Sequence, residues 1–127
     1  VERVKRLALA AALLTSRPGA ARAQEDRDPW FGHDKALHFG VSVMLASGGY
    51  AATSLVTDDR RVRLAVGGGF ALSLGVAKEL WDLEGHGDPS WRDLTWDVVG
   101  TVTGLAVAAA IDWTISRLQP RRALGAR

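Results

Sequence analysis

The sequence predicts an all-α fold: a three-helix antiparallel (up-down-up) bundle, inserted in a membrane and preceded by a signal peptide. Apolar runs recur at residues 36–56, 64–77 and 98–111. Polar, turn-forming connectors separate those runs. Arginines gather in the first connector and the C-terminal tail, while the second connector is mostly acidic.

The first 23 residues have the form of a secretory leader. Arg3, Lys5 and Arg6 precede an unbroken apolar run at 7–14, and Ala21-Arg22-Ala23 has the small-x-small pattern of a cleavage site. That run is too short to span a bilayer. Cleavage after Ala23 is expected; an uncleaved amphipathic leader is the alternative. Residues 24–33 form a polar linker containing the turn Pro29-Trp30-Phe31-Gly32.

The helical domain is expected over 34–118, followed by a basic tail at 119–127. Its first segment, 34–56, has Asp34 as a plausible N-cap. The second covers about 59–84, where Glu84-Gly85-His86-Gly87-Asp88-Pro89 breaks it. The third covers 90–118, with Ser90 as N-cap and Asp93 at the third helical position, a capping-box variant. Pro120 closes it.

Composition narrows the function. The chain has no cysteine, which removes disulfides, thiolate ligands, a cysteine nucleophile and a lipidated cysteine together. A net charge of +2 is too small to argue nucleic-acid binding. Residues 36–56 would extend about 31 Å at 1.5 Å per residue, enough for a bilayer core of about 30 Å. The other two runs reach about 21 Å each, and flanking Trp81 and Trp96 lengthen them. Arg60, Arg61 and Arg63, with Arg117, Arg121, Arg122 and Arg127, place the first connector and the tail on the cytoplasmic side. The expected location is therefore the inner membrane, with the acidic connector facing the periplasm. A peripheral periplasmic bundle is the alternative.

In that topology three helix ends share one side, and Trp30, Trp81, Trp91 and Trp96 lie near it. The candidate polar site comprises Asp34, His38, Lys78, Glu79, Asp82, Asp93 and Asp97. Asp34/His38 and Asp93/Asp97 are i,i+4 pairs and Glu79/Asp82 is i,i+3, so each pair shares a helix face. Those faces continue through Gly68, Leu72 and Gly75 on the second helix and through Gly100 and Gly104 on the third. Small residues permit close approach, so the second and third helices are expected to pack on these faces. A central Asp costs about 2.5–3.5 kcal/mol on insertion scales, so the carboxylates need an interfacial position, protonation, counter-ions or a cation. Lys78, Arg92 and His38 are available counter-ions.

Three readings of the cluster stay open. It is a hydrogen-bonded plug fixing helix register, a metal or general acid/base site, or a proton relay. A divalent cation would draw its ligands from His38, Glu79, Asp82, Asp93 and Asp97. His33 and His86 are expected in surface loops, and the tryptophans as anchors. Gly67-Gly68-Gly69 is a packing feature, because no strand precedes it and no GK[ST] follows. Ser42, Ser47 and Ser73 lack the context of a nucleophile elbow. Asp112 is expected to pair with an arginine of the first connector.

At "DKALHFGVSVMLASGG", "LSLGVAKELWD" and "SWRDLTWDVVGTVTG" the chain resembles the YfiM family of envelope lipoproteins, which has no assigned activity. The resemblance covers residues 34–105. More distantly, the D-K-x-x-H-F and D-x-x-x-D-x-x-G-x-x-x-G patterns are similar to those of VanZ-like membrane proteins. The shared positions are Asp34, Lys35, His38, Phe39, Lys78, Glu79, Asp82, Asp93, Asp97 and Gly100. The resemblance implies an envelope location. The chain departs from the lipoprotein pattern in lacking cysteine. The expected function is that of a small cell-envelope protein that packs or scaffolds an envelope partner, in contact with membrane lipid. The alternative is a small membrane hydrolase or metal-dependent enzyme acting on lipid or envelope headgroups.

Overall fold

Helix α1 (His33–Thr53) begins without a side-chain cap, because Gly32 stands at the cap position in extended conformation. Asp34 is therefore not the N-cap expected of it. It lies in the first turn, where its charge still favours the helix dipole. The helix stops three residues short of Val56. Thr53 Oγ1 and Ser54 Oγ donate to the Gly49 and Ala51 carbonyls at 2.7 and 2.6 Å, and such back-bonding competes with helix continuation.

These helices come from a computed structural model that describes residues 28–119, with the helical unit starting at Phe31. The expected leader, linker residues 24–27 and the basic tail from residue 120 lie outside the described residues, and His33, expected in the linker, is the first residue of α1. Helix α2 (Arg60–Trp81) is capped by Asp59, whose carboxylate accepts from the Arg61 N–H at 2.8 Å. It gives way at Asp82–His86 to one wide, π-type turn, short of the expected Glu84. Gly85, at φ 95°, supplies the left-handed residue that ends this turn. Helix α3 (Trp91–Leu118) is capped by Ser90, whose Oγ accepts from the N–H groups of Arg92 and Asp93 at 3.2 and 3.3 Å.

The order is up-down-up. His38 meets Asp97 and Tyr50 meets Asp112, so α1 and α3 run parallel. Gly67 lies against Ala46 and Tyr50 while Gly75 lies against Asp97, so α2 runs antiparallel to both.

Glycines set the helix spacing: Gly68 and Gly75 face α3 as expected, while Gly100 and Gly104 have a different partner. A Cβ on Gly100 would strike the Phe39 carbonyl and one on Gly104 the Val43 backbone. Both glycines serve the α1–α3 contact and not an α2–α3 contact. Parallel α1 and α3 form the most extensive interface of the unit, and backbone-to-backbone approach is needed there. On α2 the closest approach to another helix's backbone is at Gly67, where a Cβ would lie 2.6 Å from the Ala46 oxygen. Gly68 packs more loosely on Leu105, and Leu72 is 36% exposed.

Polarity is inverted relative to a water-soluble bundle. The buried apolar side chains among the described residues are Ala46, Tyr50 and Ala71. Buried with them are Lys35, Arg63, Glu79, Asp82, Arg92, Asp93 and Asp97. Met44, Val66, Phe70, Val102 and Ile111 are exposed. By length and hydropathy, α3 is the one described helix that meets the requirement for crossing a membrane.

Candidate functional site

The helix register decides which polar groups turn inward. On α1 the buried residues are Lys35, Ser42, Ala46, Tyr50 and Thr53, a stripe at helical spacing that also carries His38. Asp34 lies off this stripe, with its side chain 64% exposed, while Lys35 beside it is 5% exposed. On α3 the stripe is Asp93, Asp97, Gly100, Thr101 and Gly104. The two carboxylates thus meet His38 from the facing helix.

His38 is held between them. Its Nδ1 lies 3.0 Å from Asp97 Oδ1, and its Nε2 lies 3.6 Å from Asp93 Oδ2. With the proton on Nδ1, the ring donates to Asp97. Ser42 Oγ donates to the same Asp97 oxygen at 2.8 Å. Gly75 makes this arrangement fit, since any Cβ there would lie 2.5 Å from Asp97 Oδ2.

Two lysines enter among the acids. Lys35 Nζ lies 2.5 Å from Asp93 Oδ1 and 3.3 Å from Asp34 Oδ2. Asp93 Oδ1 accepts no hydrogen bond among the described residues, and the ion pair with Lys35 compensates its charge. Lys78 Nζ reaches Asp82 Oδ2 at 2.8 Å, Glu79 Oε1 at 3.1 Å and Asp93 Oδ2 at 3.6 Å. It joins the α2 acids to the α3 acid.

Glu79 has a further role. Its Oε2 accepts from the Ser90 N–H at 2.6 Å, the bond that a capping-box acid at position 93 would have made. Asp93 is drawn inward by Lys35 and His38, and Glu79 of α2 takes its place at the start of α3. Asp82 packs on Gly87, where no side chain fits. The wide turn is fastened from outside by His86, stacked on Trp81 with ring centres 4.1 Å apart.

All seven predicted site residues therefore lie at one end of the bundle, but they do not converge on one point. Asp34, His38 and Asp93 can bring donor atoms within 4.8 Å of one another. Glu79 and Asp82, two of the expected metal ligands, are turned to Ser90 and Lys78. Lys35 and Ser42 complete the inner group and were not singled out by spacing. The signal for Lys35 was its position three residues before His38, on the buried stripe. Ser42 lies four residues after His38 on the same stripe.

Comparison with known proteins gives no match. No family model, curated protein or solved structure matches the chain. What the site can do is therefore argued from its own geometry.

Beside the inner group, a lateral cleft of about 270 Å³ opens between α1 and α2. Its lining includes His38, Lys78 and Asp97 at the polar end and Val41, Leu45 and Leu74 along its length. At the opposite end of the bundle, Asp112 accepts from Arg60 at 2.7 Å, Arg63 at 3.1 Å and the Tyr50 hydroxyl at 3.0 Å. Arg63, buried, also reaches Asp58 and the Thr57 carbonyl. A second polar clasp thus closes the other end.

Proposed function

We propose that this chain is a membrane-inserted cell-envelope protein that serves as a packing or scaffolding unit for an envelope partner, with a polar plug locking its helices at their shared end. The inverted distribution of polarity carries this proposal. Charged groups inside and branched apolar groups outside would be costly in water and suit a lipid surround. Trp91 and Trp113, both more than half exposed, are separated by about 33 Å along α3, close to a bilayer core. Trp81 joins Trp91 at the plug end, and Arg117 covers Trp113 at 4.6 Å at the other. Those are the positions of interfacial aromatic belts.

The plug supports a structural role over a catalytic one because it contains its own counter-ions. Lys35 and Lys78 lie among the carboxylates where a divalent cation would have to sit. Scaffolding is supported by a second small-residue face on α2, where Ala65, Gly69, Ser73 and Ala77 recur every four residues and are exposed. The similarity of the three motifs to the YfiM family agrees with an envelope setting.

One observation favours the hydrolytic alternative. Asp97 orients His38 beside an apolar cleft, which suits general-base chemistry on an amphiphile. The hydroxyl within reach is not activated, however. Asp97 stands between Ser42 and His38, whereas a nucleophilic serine needs the imidazole between itself and the acid.

Because the chain has no cysteine, single cysteines report topology without background. Cysteine at Gly85 is expected to react with an impermeant maleimide in intact spheroplasts, and cysteine at Gln119 only after lysis. The protein is expected to stay in the pellet after carbonate washing. Release by carbonate would establish the peripheral bundle instead.

A further inference from the structure

We propose that the cleft between α1 and α2 binds the hydrocarbon chain of an amphiphile headed by a primary ammonium group, with Asp97 Oδ2 as acceptor for that head. The proposal rests on membrane insertion, which brings the cleft into contact with lipid.

Asp97 is 3% exposed, and its two oxygens are used unequally. Oδ1 faces both Ser42 and His38, while Oδ2 is buried with no hydrogen-bond partner among the described residues. A buried carboxylate oxygen without a donor is rare enough to need a reason. Here the wall beside it is Gly75, the cleft-lining residue that presents no side chain to cover Oδ2. Asp97 and Gly75 both line the cleft, so the unsatisfied atom lies just behind its wall, and a donor reaches it as α2 yields at Gly75.

Away from that atom the lining turns apolar. Val41, Leu45, Ala71 and Leu74 flank a channel open to the side, and Val41 and Leu74 are half-exposed in it. The volume of about 270 Å³ falls just under the usual ligand-pocket range of about 300–1,000 Å³. One chain fits better than two.

Charge selects the head. Asp34, Glu79, Asp82, Asp93 and Asp97 outnumber Lys35, Lys78 and Arg92 at this end of the bundle. The nearest rim cation, Lys78, is engaged by Asp82 and Glu79. An ammonium donor would satisfy Oδ2 with a charge-assisted bond and reduce the excess negative charge, whereas an alcohol would do only the first. A divalent cation is a poor fit at Oδ2, because such ions require several oxygen ligands and Gly75, the residue against that oxygen, offers no side chain as one.

The test is thermal melting of the purified full chain in dodecyl maltoside micelles, followed by circular dichroism. Decylammonium, decanol and decyl sulfate are added at equal mole fraction, with Mg²⁺ and Zn²⁺ in parallel. Decylammonium is expected to raise Tm by on the order of 4 °C at saturation, decanol by clearly less, and decyl sulfate not at all. Leu74→Trp, which fills the cleft, is expected to abolish the rise. Val76→Trp, on the exposed face of the same helix, is expected to retain it. Asp97→Asn is expected to lose the preference for ammonium over alcohol; should that variant fail to fold, Leu74→Trp still decides. Equal shifts with decylammonium and decanol would overturn the proposal, as would an undiminished shift in Leu74→Trp. A shift with metal and none with decylammonium would assign Oδ2 to a cation and overturn it too. A chain that resists carbonate extraction yet shows no ammonium preference sinks the cleft proposal alone, leaving membrane insertion standing.

Discussion

At the scale of single residues, three adjacent glycines separate space from propensity. Gly67 faces the α1 backbone, Gly68 faces the end of the Leu105 side chain, and Gly69 has nothing within 4 Å. Alanine is a better helix former than glycine by about 1 kcal/mol, so Gly69→Ala is expected to stabilise by up to that amount. Gly67→Ala gains the same propensity but forces α1 and α2 apart, and such overpacking costs about 1–3 kcal/mol. Opposite signs in melting experiments on the two variants are the expected outcome. Equal signs would mean that α1 and α2 do not touch through Gly49 and Gly67. Spacing alone marks all three glycines as packing residues. It cannot say which faces backbone, because that depends on the rotation of α2 about its axis.

At the scale of elements, the junction between α2 and α3 is made by side chains crossing from one helix to the next. Glu79 satisfies the Ser90 N–H, Ser90 caps α3, and Gly85 and Gly87 let the chain turn between them. Removing the acceptor leaves a buried donor unsatisfied, a cost of about 1–3 kcal/mol. Glu79→Ala is therefore expected to destabilise by at least that amount, since Lys78 loses a partner as well. Glu84→Ala, at an exposed position in the same turn, should change stability by less than about 0.5 kcal/mol. Glu79→Gln keeps an acceptor and is expected to fall between them. Denaturation of the three variants in micelles measures this order, and a Glu79→Ala as stable as Glu84→Ala would remove the cross-helix cap. The sequence announces Ser90 as a cap and Asp93 as its reciprocal partner. It does not reveal the substitution of Glu79 for Asp93, since the two are 14 positions apart and their meeting requires the turn geometry.

At the scale of the whole bundle, polar groups close both ends and glycine contacts fill the space between. The Asp112 clasp holds α3 to the end of α1 and the start of α2 through Tyr50, Arg60 and Arg63. Breaking it from the acid side leaves the Arg63 guanidinium, 7% exposed, with its partner neutralised. Loss of one partner from a buried pair costs about 3–5 kcal/mol, and the partial exposure of Asp112 places the expected loss for Asp112→Asn at the low end, about 3 kcal/mol. Arg60→Ala removes a half-exposed, solvent-screened partner and should cost far less. Melting of the two variants checks the ratio. Should Arg60→Ala prove as damaging as Asp112→Asn, the clasp would depend on its surface arginine and not on Arg63.

The sequence by itself determined the three helices, their up-down-up order and the gathering of Asp34, His38, Lys78, Glu79, Asp82, Asp93 and Asp97 at one end. These follow from local facts: apolar runs of helical length, breakers between them, and residues three or four apart sharing a face. The Ser90 cap is local in the same way, and so is the packing character of Gly67 and Gly68, though not of Gly69. Only the tertiary structure decided how the faces meet. It gave Gly100 and Gly104 to α1 instead of α2, turned Asp34 outward and Lys35 inward, and set Ser42 and His38 on the same oxygen of Asp97. Each of these depends on helix rotation, and rotating α1 by one residue, about 100°, exchanges Asp34 for Lys35. No pattern along the chain fixes that angle. Backbone contact at glycine and charge pairing across helices fix it together, because a buried acid needs its lysine and a close crossing needs its glycine at the same rotation.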